Sequence, residues 1–156
     1  MALKKLFEGV YEGFYRLWTP NLCPGKAVYG EELRDFNGIE FRAWNPHRSK
    51  LASAIKKGLK EFPVGPGSKI LYLGSSEGTT ASHLSDLIGE EGVLFGLDVS
   101  ERSMNKFIEL CEQRENMVPV QMVGNTRLIE LAHEIGSMYQ AEAEIFVGEK
   151  VPGLAA

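Results

Sequence analysis

Apolar and polar positions change their spacing along the chain, and the changes divide it into predicted strands and helices. Three short runs, at 70–73, 93–97 and 117–123, are almost entirely apolar, as is typical of strands covered on both faces. Between them, apolar residues recur at helical spacing over 81–88 and 104–111. Because strands alternate with helices, this part of the chain is predicted to form a parallel α/β sheet.

The alternation continues toward the C-terminus. Asn125 or Thr126 can open a fourth helix, whose inner face is formed by apolar residues of 128–135, and a last strand is predicted at 144–147. Pro119 lacks a backbone N–H group, so its strand is predicted to lie at an edge of the sheet or to carry a bulge. The chain ends soon after the last predicted strand.

Residues 1 to about 44 have the pattern of β-strands. Phe36-Asn37-Gly38-Ile39 places Asn-Gly between apolar residues, which is the strongest short signal for a hairpin. After it, Ile39, Phe41 and Ala43 occupy alternate positions, which predicts a strand with one buried face.

Four aromatic residues of this segment have two interpretations. They could stack the bases of a nucleic acid, or they could fill the core of a small sheet, which is the commoner fate of aromatic side chains. They are Tyr11, Phe14, Tyr15 and Trp18.

The next segment predicts a helix. Asn45 can cap its N-terminus with Pro46 at the first position, and Leu51, Ile55 and Leu59 follow at helical spacing. Its lysines face outward, either to contact phosphates or simply to form a solvated helix face. They are Lys56, Lys57 and Lys60.

Composition limits the classes of function. The 156 residues suffice for one domain, or for one domain with a small appendage. There is no run of 18 apolar residues for a transmembrane helix, and no apolar stretch typical of a signal peptide.

Cys23 and Cys111 lie far apart, which favours a reduced cytosolic setting and no metal site. The net charge of −4 argues against binding nucleic acid by bulk charge, although it leaves room for a local basic patch.

A glycine-containing turn follows the first apolar run. Gly74 and Gly78 permit a tight turn and a close approach of the backbone to a ligand, and Thr79 and Thr80 offer hydroxyl and amide groups where the next helix begins. The spacing matches neither the P-loop nor the dinucleotide fingerprint, so a turn without any ligand is an equal alternative. Asp98 ends the second run, where an acid binds ribose hydroxyls or caps the following helix.

Several segments together resemble fibrillarin, and more closely its archaeal relatives. The resemblance covers roughly residues 10 to 122. The matching segments are Asn21-Leu22-Cys23-Pro24-Gly25, Val28-Tyr29-Gly30-Glu31, Trp44 to Ala52, Leu71-Tyr72-Leu73-Gly74, Glu77-Gly78-Thr79-Thr80, His83 to Asp86, Arg102-Ser103 and Asn116 to Val120.

The resemblance implies a fold and an activity. Members of this family are RNA 2'-O-methyltransferases that use S-adenosylmethionine and modify ribosomal and transfer RNA within guide-RNA particles, on a scaffold protein. For this chain it implies a small N-terminal β domain at 1–44. A Rossmann-like methyltransferase domain would follow at 45–156 and would lack the last strands of the family's sheet. A cytoplasmic location is expected in an archaeal-type cell, and a nucleolar one in a eukaryote.

The resemblance also assigns roles to residues. Lys50 is the catalytic candidate, the turn holds the methionine and ribose portions of the cofactor, Asp98 lies at the ribose and Val99 at the adenine. The cofactor-binding candidates are Gly74, Ser76, Gly78, Thr79, Thr80, Asp98, Val99, Val123 and Gly124.

Two departures from the family pattern leave two hypotheses. Val123-Gly124-Asn125 stands where the family has Asp-Ala-Arg, and of the family's catalytic set only Lys50 has a counterpart, with Glu149 a loose candidate for another member. The chain is therefore either a fibrillarin-like methyltransferase or its cofactor-binding part, or a shortened relative that binds scaffold or RNA without catalysis. An unpaired last strand predicts a homo-oligomer or a partner that covers the sheet edge.

Overall fold

The N-terminal part of the protein is an antiparallel sheet of five strands. The computed structural model describes residues 2–121 and, for the backbone alone, 144–147. The strand order is β1-β2-β3-β5-β4, and three hairpins in it have loops of two residues. Asn37 and Gly38 form one of these loops with φ angles of 57° and 84°, which confirms the predicted hairpin. The strands are β1 (Lys4–Phe7), β2 (Val10–Gly13), β3 (Arg16–Pro20), β4 (Leu33–Phe36) and β5 (Ile39–Trp44).

The second sheet is parallel, and helices connect its strands. Its order is β8-β7-β6-β9, which confirms the predicted α/β class. Pro119 lies in β8 at one edge of this sheet, as predicted, opposite Gly96. The elements are α1 (Lys50–Lys56), β6 (Lys69–Leu73), α2 (Thr79–Ile88), β7 (Val93–Leu97), α3 (Glu101–Cys111), β8 (Met117–Val120) and β9 (Glu144–Val147). The helix predicted over 128–135 lies outside the described residues.

Helix α1 is shorter than predicted at both ends. Asn45 accepts a hydrogen bond from the His47 amide at 2.9 Å, so it closes a local turn instead of capping the helix. Ser49 is the N-cap, and its hydroxyl accepts from the Ala52 amide. The chain then leaves the helix after Lys57, where Gly58 adopts a φ of 92°.

Two predicted burial patterns are wrong in detail. In β5, Ile39 is 56% exposed, whereas the residues from Phe41 to Trp44 are all buried. The second half of this strand is therefore covered on both faces. In α3 the third core residue is Leu110, whereas the predicted Ile108 and Cys111 are only half-buried.

A buried ionic network joins the two sheets. Asp86 of α2 accepts from Arg42 of β5 at 2.8 Å and from Arg114 at 2.7 Å, and the three side chains are at most 1% exposed. Thr19 and Tyr29 hydrogen-bond the two ring nitrogens of His83, each at 2.7 Å. These bonds fix the antiparallel sheet against α2.

The apolar core crosses the same boundary. One cluster contains Val10, Leu17 and Trp44 from the first sheet together with Leu84 and Ile88 from α2. Ala52 and Ile55 of α1 belong to the same cluster, so α1 and α2 both pack against this shared core. Among the described residues, no helix combines the length and apolarity that a membrane crossing needs.

Candidate functional site

The turn after β6 is held in an unusual backbone conformation. Gly74 has a φ of 80°, and Ser76 has a φ of 50°, which is uncommon for a residue with a side chain. The amides of Gly74 and Ser75 both donate to the carbonyl of Leu97, at 2.7 and 2.9 Å. These bonds draw the turn onto the carboxyl end of β7, at the edge where parallel α/β sheets bind their ligands.

Asp98 stabilises this turn. One carboxylate oxygen accepts from the Ser76 amide and the other from the Ser100 amide, both at 2.8 Å. The side chain therefore holds the turn and the start of α3 together, while Ser100 itself caps α3 through Ser103. Each carboxylate oxygen has a further lone pair, so these bonds are compatible with accepting from ribose hydroxyls as well.

Helix α2 begins at this turn. Its N-cap is Gly78, so no side chain caps the helix, and Thr79 and Thr80 form its first two positions. First-turn amides and hydroxyls in such a position suit an anionic or hydroxyl-bearing ligand. The Thr80 hydroxyl already donates to the hydroxyl of Ser49 at 2.9 Å.

Gly78 has a packing role that the sequence analysis did not predict. A Cβ added there would lie 2.5 Å from the Leu110 side chain and close to Phe107. Its φ of 94° also disfavours other residues. Gly78 is thus required for packing the turn against α3.

Lys50 is the first residue of α1, and its side chain is exposed. Lys50 lines the same cleft as the turn, although 24 positions separate it from Gly74 in the chain. The cleft has a volume of about 740 Å³. Its lining includes Lys50, Tyr72, Gly74, Ser75, Ser76, Glu77, Thr79 and Thr80, together with the loop Pro46 to Ser49.

Three described residues of the predicted site lie outside this lining. Gly78 lies against Leu110 of α3, and Asp98 accepts a hydrogen bond from the Ser76 amide. Val99 follows the end of β7 and is 63% exposed. Val123 and Gly124 lie outside the described residues.

Ser75 is a lining residue that the sequence analysis missed. Its side chain is buried, with only 3% of the residue exposed, and its hydroxyl has no hydrogen-bond partner among the described residues. A buried hydroxyl without a partner costs about 1–3 kcal/mol, so a ligand or water that completes it would be stabilised. The sequence did contain a signal for Ser75 as a site residue, because it directly follows Gly74 in the same turn as Ser76.

The cleft contains acidic and basic groups side by side. A hydrogen bond from Lys106 at 2.7 Å holds the pKa of Glu77 below its usual value. In the described part of the chain, no three His, Cys, Asp or Glu side chains are grouped so that they could hold a metal ion. The groups that this cleft offers to a ligand therefore include hydroxyls, backbone amides, the Glu77 carboxylate and the side chains of His47, Arg48 and Lys50.

A parallel sheet with connecting helices and a glycine turn at its carboxyl edge places this protein in the Rossmann-like α/β class. Comparisons with known proteins identify the family. Residues 1–128 match the Fibrillarin family profile. The chain belongs to the fibrillarin family.

Individual relatives agree with this assignment. A fibrillarin-like rRNA/tRNA 2'-O-methyltransferase from Thermococcus onnurineus is 50% identical over 126 residues, which are 77% of this chain and 56% of the relative. The corresponding protein from Methanopyrus kandleri is 48% identical over 119 residues, 73% of this chain and 51% of the relative. The chain thus spans about half the length of the curated relatives it matches.

Solved structures show the same fold. Aeropyrum pernix fibrillarin, in complex with natively bound S-adenosyl-L-methionine, has a TM-score of 0.78 and 35% identity, covering 97% of this chain and 67% of that one. The Methanococcus jannaschii fibrillarin pre-rRNA processing protein has a TM-score of 0.77 and 34% identity, covering 94% and 63%. A chain from a fibrillarin/Nop5p complex has a TM-score of 0.68 and 28% identity, covering 92% and 76%.

Proposed function

We propose that this chain is the cofactor-binding part of a fibrillarin-like RNA 2'-O-methyltransferase and that it binds S-adenosylmethionine in the cleft between Lys50 and the glycine turn. The observation that carries the proposal is that Lys50 lines the same cleft as Gly74, Thr79 and Thr80. A methyl transfer needs the acceptor hydroxyl and the methyl donor in one place.

The residues present fit this cofactor. The uncapped start of α2, with Thr79 and Thr80, suits the carboxylate of the methionine portion, and the Ser75 hydroxyl still needs a partner. Asp98 has lone pairs left for ribose hydroxyls, and the exposed Val99 offers an apolar surface to a base. When bound, S-adenosylmethionine would supply an electrophilic methyl group.

Lys50 would act on the acceptor ribose. Its ammonium carries three N–H donors and no acceptor, so it can orient the 2'-hydroxyl and stabilise negative charge that develops on that oxygen. The Ser49 cap and the Thr80–Ser49 hydrogen bond would keep Lys50 beside the turn. Glu149 is the sequence candidate for a further acid–base group, and it lies outside the described residues.

The RNA and a scaffold protein are the proposed partners. The relatives are named as rRNA/tRNA methyltransferases, and one structural relative was solved with Nop5p, which supports a scaffold of that kind for this chain. We also propose that a second copy or a partner covers β9, which is an edge strand of the described sheet. Sedimentation of the chain at high concentration would contradict the second-copy proposal if it gave a single monomer species.

A second candidate function is an interaction module without catalysis. It is favoured by Val123-Gly124-Asn125, which stands where the family carries Asp-Ala-Arg. Val123 cannot accept a hydrogen bond from the adenine amino group, and that loss should weaken cofactor binding by about 1–3 kcal/mol.

Calorimetric titration with S-adenosylmethionine tests the proposal. We expect measurable binding by the wild type, weaker binding by Ser75→Ala, tighter binding by Val123→Asp, and little change in Lys50→Ala. Failure of both the wild type and Val123→Asp to bind would refute the cofactor site. Transfer of labelled methyl to a guide-paired RNA with scaffold present, compared between the wild type and Lys50→Ala, would then decide between the two functions.

A further inference from the structure

The loop between β5 and α1 leads directly to Lys50. It consists of residues 45–48, and part of its hydrogen bonding is internal. The Arg48 amide donates to the Asn45 carbonyl at 3.1 Å, and the His47 amide donates to the Asn45 side chain at 2.9 Å. The position of Lys50 therefore depends on what fixes this loop, which we call the Lys50 loop.

Tyr29 fixes the Lys50 loop to the rest of the protein. Its hydroxyl accepts a hydrogen bond from the Asn45 amide at 3.3 Å, and its carbonyl accepts one from the Arg48 guanidinium at 3.2 Å. The same guanidinium lies over the Tyr29 ring, 5.3 Å from its centroid. In the part of the chain that the structure describes, these two hydrogen bonds are the ones that join the loop to other segments, and both end on Tyr29.

The hydroxyl of Tyr29 also reaches two other elements. It donates to the Ala43 carbonyl of β5 at 3.0 Å and hydrogen-bonds Nε2 of His83 in α2 at 2.7 Å. A tyrosine hydroxyl has one donor and two acceptor positions, so three partners match its full capacity. Burial raises the pKa of Tyr29 to about 12, so the hydroxyl keeps its proton at the pH of ordinary assays.

His83 is a rigid partner for this hydroxyl. It is fully buried, its ring stacks on Trp44 with centroids 5.0 Å apart, and its Nδ1 hydrogen-bonds Thr19 at 2.7 Å. His83 belongs to α2, whose first turn lines the cofactor cleft. Tyr29 thus connects the Lys50 loop with the helix that starts at the glycine turn.

Tyr29 is itself held by the acidic residue that closes its motif. Glu31 accepts from the amides of Val28 and Tyr29 at 2.9 and 2.8 Å and from Nε of Arg42 at 2.7 Å. The Glu31 and Arg42 side chains are at most 1% exposed. The segment from Val28 to Glu31 carries part of the family resemblance, and these contacts give it a role apart from the cofactor cleft.

We propose that Tyr29 is a positioning residue for Lys50. It anchors the Lys50 loop to α2 from one side, while the hydrogen bond between Thr80 and Ser49 joins the start of α1 to the same helix. Tyr29 lies outside the described lining of the cofactor cleft, so it would act through the loop and not on the cofactor. The consequence for methyl transfer rests on the proposed function, whereas the anchoring of the loop does not.

Hydrogen exchange followed by mass spectrometry tests the anchoring in the full chain, without any activity. Tyr29→Phe keeps the ring beside Arg48 and His83 and removes only the hydroxyl. We expect the amides of residues 45–52 to exchange about 2- to 10-fold faster, the effect of one lost hydrogen bond, with β6 and β7 unchanged. Arg48→Met removes the second bond and should accelerate the same segment.

Single-turnover methyl transfer to a guide-paired RNA, with a scaffold protein present, tests the consequence for Lys50. At saturating S-adenosylmethionine, Tyr29→Phe should react about 10- to 100-fold more slowly, because a displacement of about 1 Å can have an effect of this size. Its dissociation constant for S-adenosylmethionine should equal that of the wild type. A tyrosine that only stabilised the fold would leave the rate unchanged at temperatures well below the unfolding midpoints.

Tyr15→Phe is the matched control, because it removes the same hydroxyl from a tyrosine at the tip of the β2–β3 hairpin. Trp18 fills the core as predicted, but Tyr15 is 92% exposed, so the core-filling prediction is wrong for it. Exchange and transfer rate in Tyr15→Phe should equal those of the wild type.

The outcomes separate this proposal from the proposed function. Unchanged exchange of residues 45–52 in Tyr29→Phe would overturn it, and so would exchange that rises equally throughout both sheets. Faster exchange of this segment with an unchanged transfer rate would also overturn it. If the wild type shows neither cofactor binding nor methyl transfer, faster exchange confined to residues 45–52 in Tyr29→Phe would support the anchor while refuting the proposed function.

Discussion

Replacing Asp86 by asparagine should remove much of the stability of this protein. Its carboxylate accepts four hydrogen bonds, from Arg42 at 2.8 Å, Arg114 at 2.7 Å, Thr19 at 3.2 Å and the Leu22 amide at 3.0 Å. The aspartate and arginine side chains are at most 1% exposed, so Asp86→Asn takes from the buried Arg114 guanidinium the carboxylate with which it pairs, whereas Arg42 keeps a second buried partner, Glu31, at 2.7 Å.

Breaking a buried ion pair typically costs about 3–5 kcal/mol, and domains of this size are stable by only about 5–15 kcal/mol. We therefore expect Asp86→Asn to lower the urea midpoint strongly with little change in the slope of the transition. Tryptophan fluorescence reports the transition, because Trp18 and Trp44 are both buried.

The control for this experiment is Glu8→Gln, which disrupts the exposed Lys5–Glu8 pair. Its midpoint should match that of the wild type, since exposed pairs contribute little. A loss below about 1 kcal/mol in Asp86→Asn would refute the argument, because it would mean that the two arginines find other partners or water when the carboxylate is removed.

Three further predictions follow from single positions. Gly78→Ala should lower the thermal midpoint, because its Cβ would lie 2.5 Å from Leu110 at a φ of 94°. Burial holds the pKa of His83 well below the ordinary 6.5, so the unfolded chain binds a proton that the folded one does not. Stability measured against pH should therefore fall as pH drops below 6.5, and fall less in His83→Gln. Burial raises the pKa of the Cys111 thiol to about 12, so its alkylation at pH about 8 should be much slower folded than in urea.

Local signals in the sequence predicted the elements well. The Asn37-Gly38 hairpin and the tight turn at Gly74 each depend on a few adjacent residues, and both are found. Pro119 predicted an edge strand or a bulge, because it lacks the amide that a central strand uses, and β8 is an edge strand of the described sheet.

Contacts between distant segments could not be predicted in the same way. The alternation of Ile39, Phe41 and Ala43 predicts that Arg42, which lies between them, faces solvent. Its side chain is instead buried and donates to Asp86, which lies 44 positions further along the chain. Nothing local to Arg42 indicates that α2 covers it. The exposure of Tyr15 was missed for a related reason, since an aromatic residue in a β-rich segment is usually buried.

The candidate site was predicted partly from local sequence signals and partly from the family resemblance. The glycine turn was evident from its own residues, whereas the role of Lys50 came from the resemblance and not from any spacing in the chain. The structure supplies the physical link between them. Ser49 caps the helix that starts at Lys50, and its hydroxyl also accepts from Thr80 at the start of α2.

Two hydroxyl groups thus connect the segment that would hold the acceptor with the segment that would hold the methyl donor. Ser49 is buried, with 4% of its surface exposed, so its bond to Thr80 is protected from competing water. A displacement of about 1 Å between two reacting groups can reduce a rate about 100-fold. In the proposed function, the alignment of Lys50 with a bound cofactor consequently depends on the hydrogen bond between Thr80, which would contact the cofactor, and Ser49, which precedes Lys50.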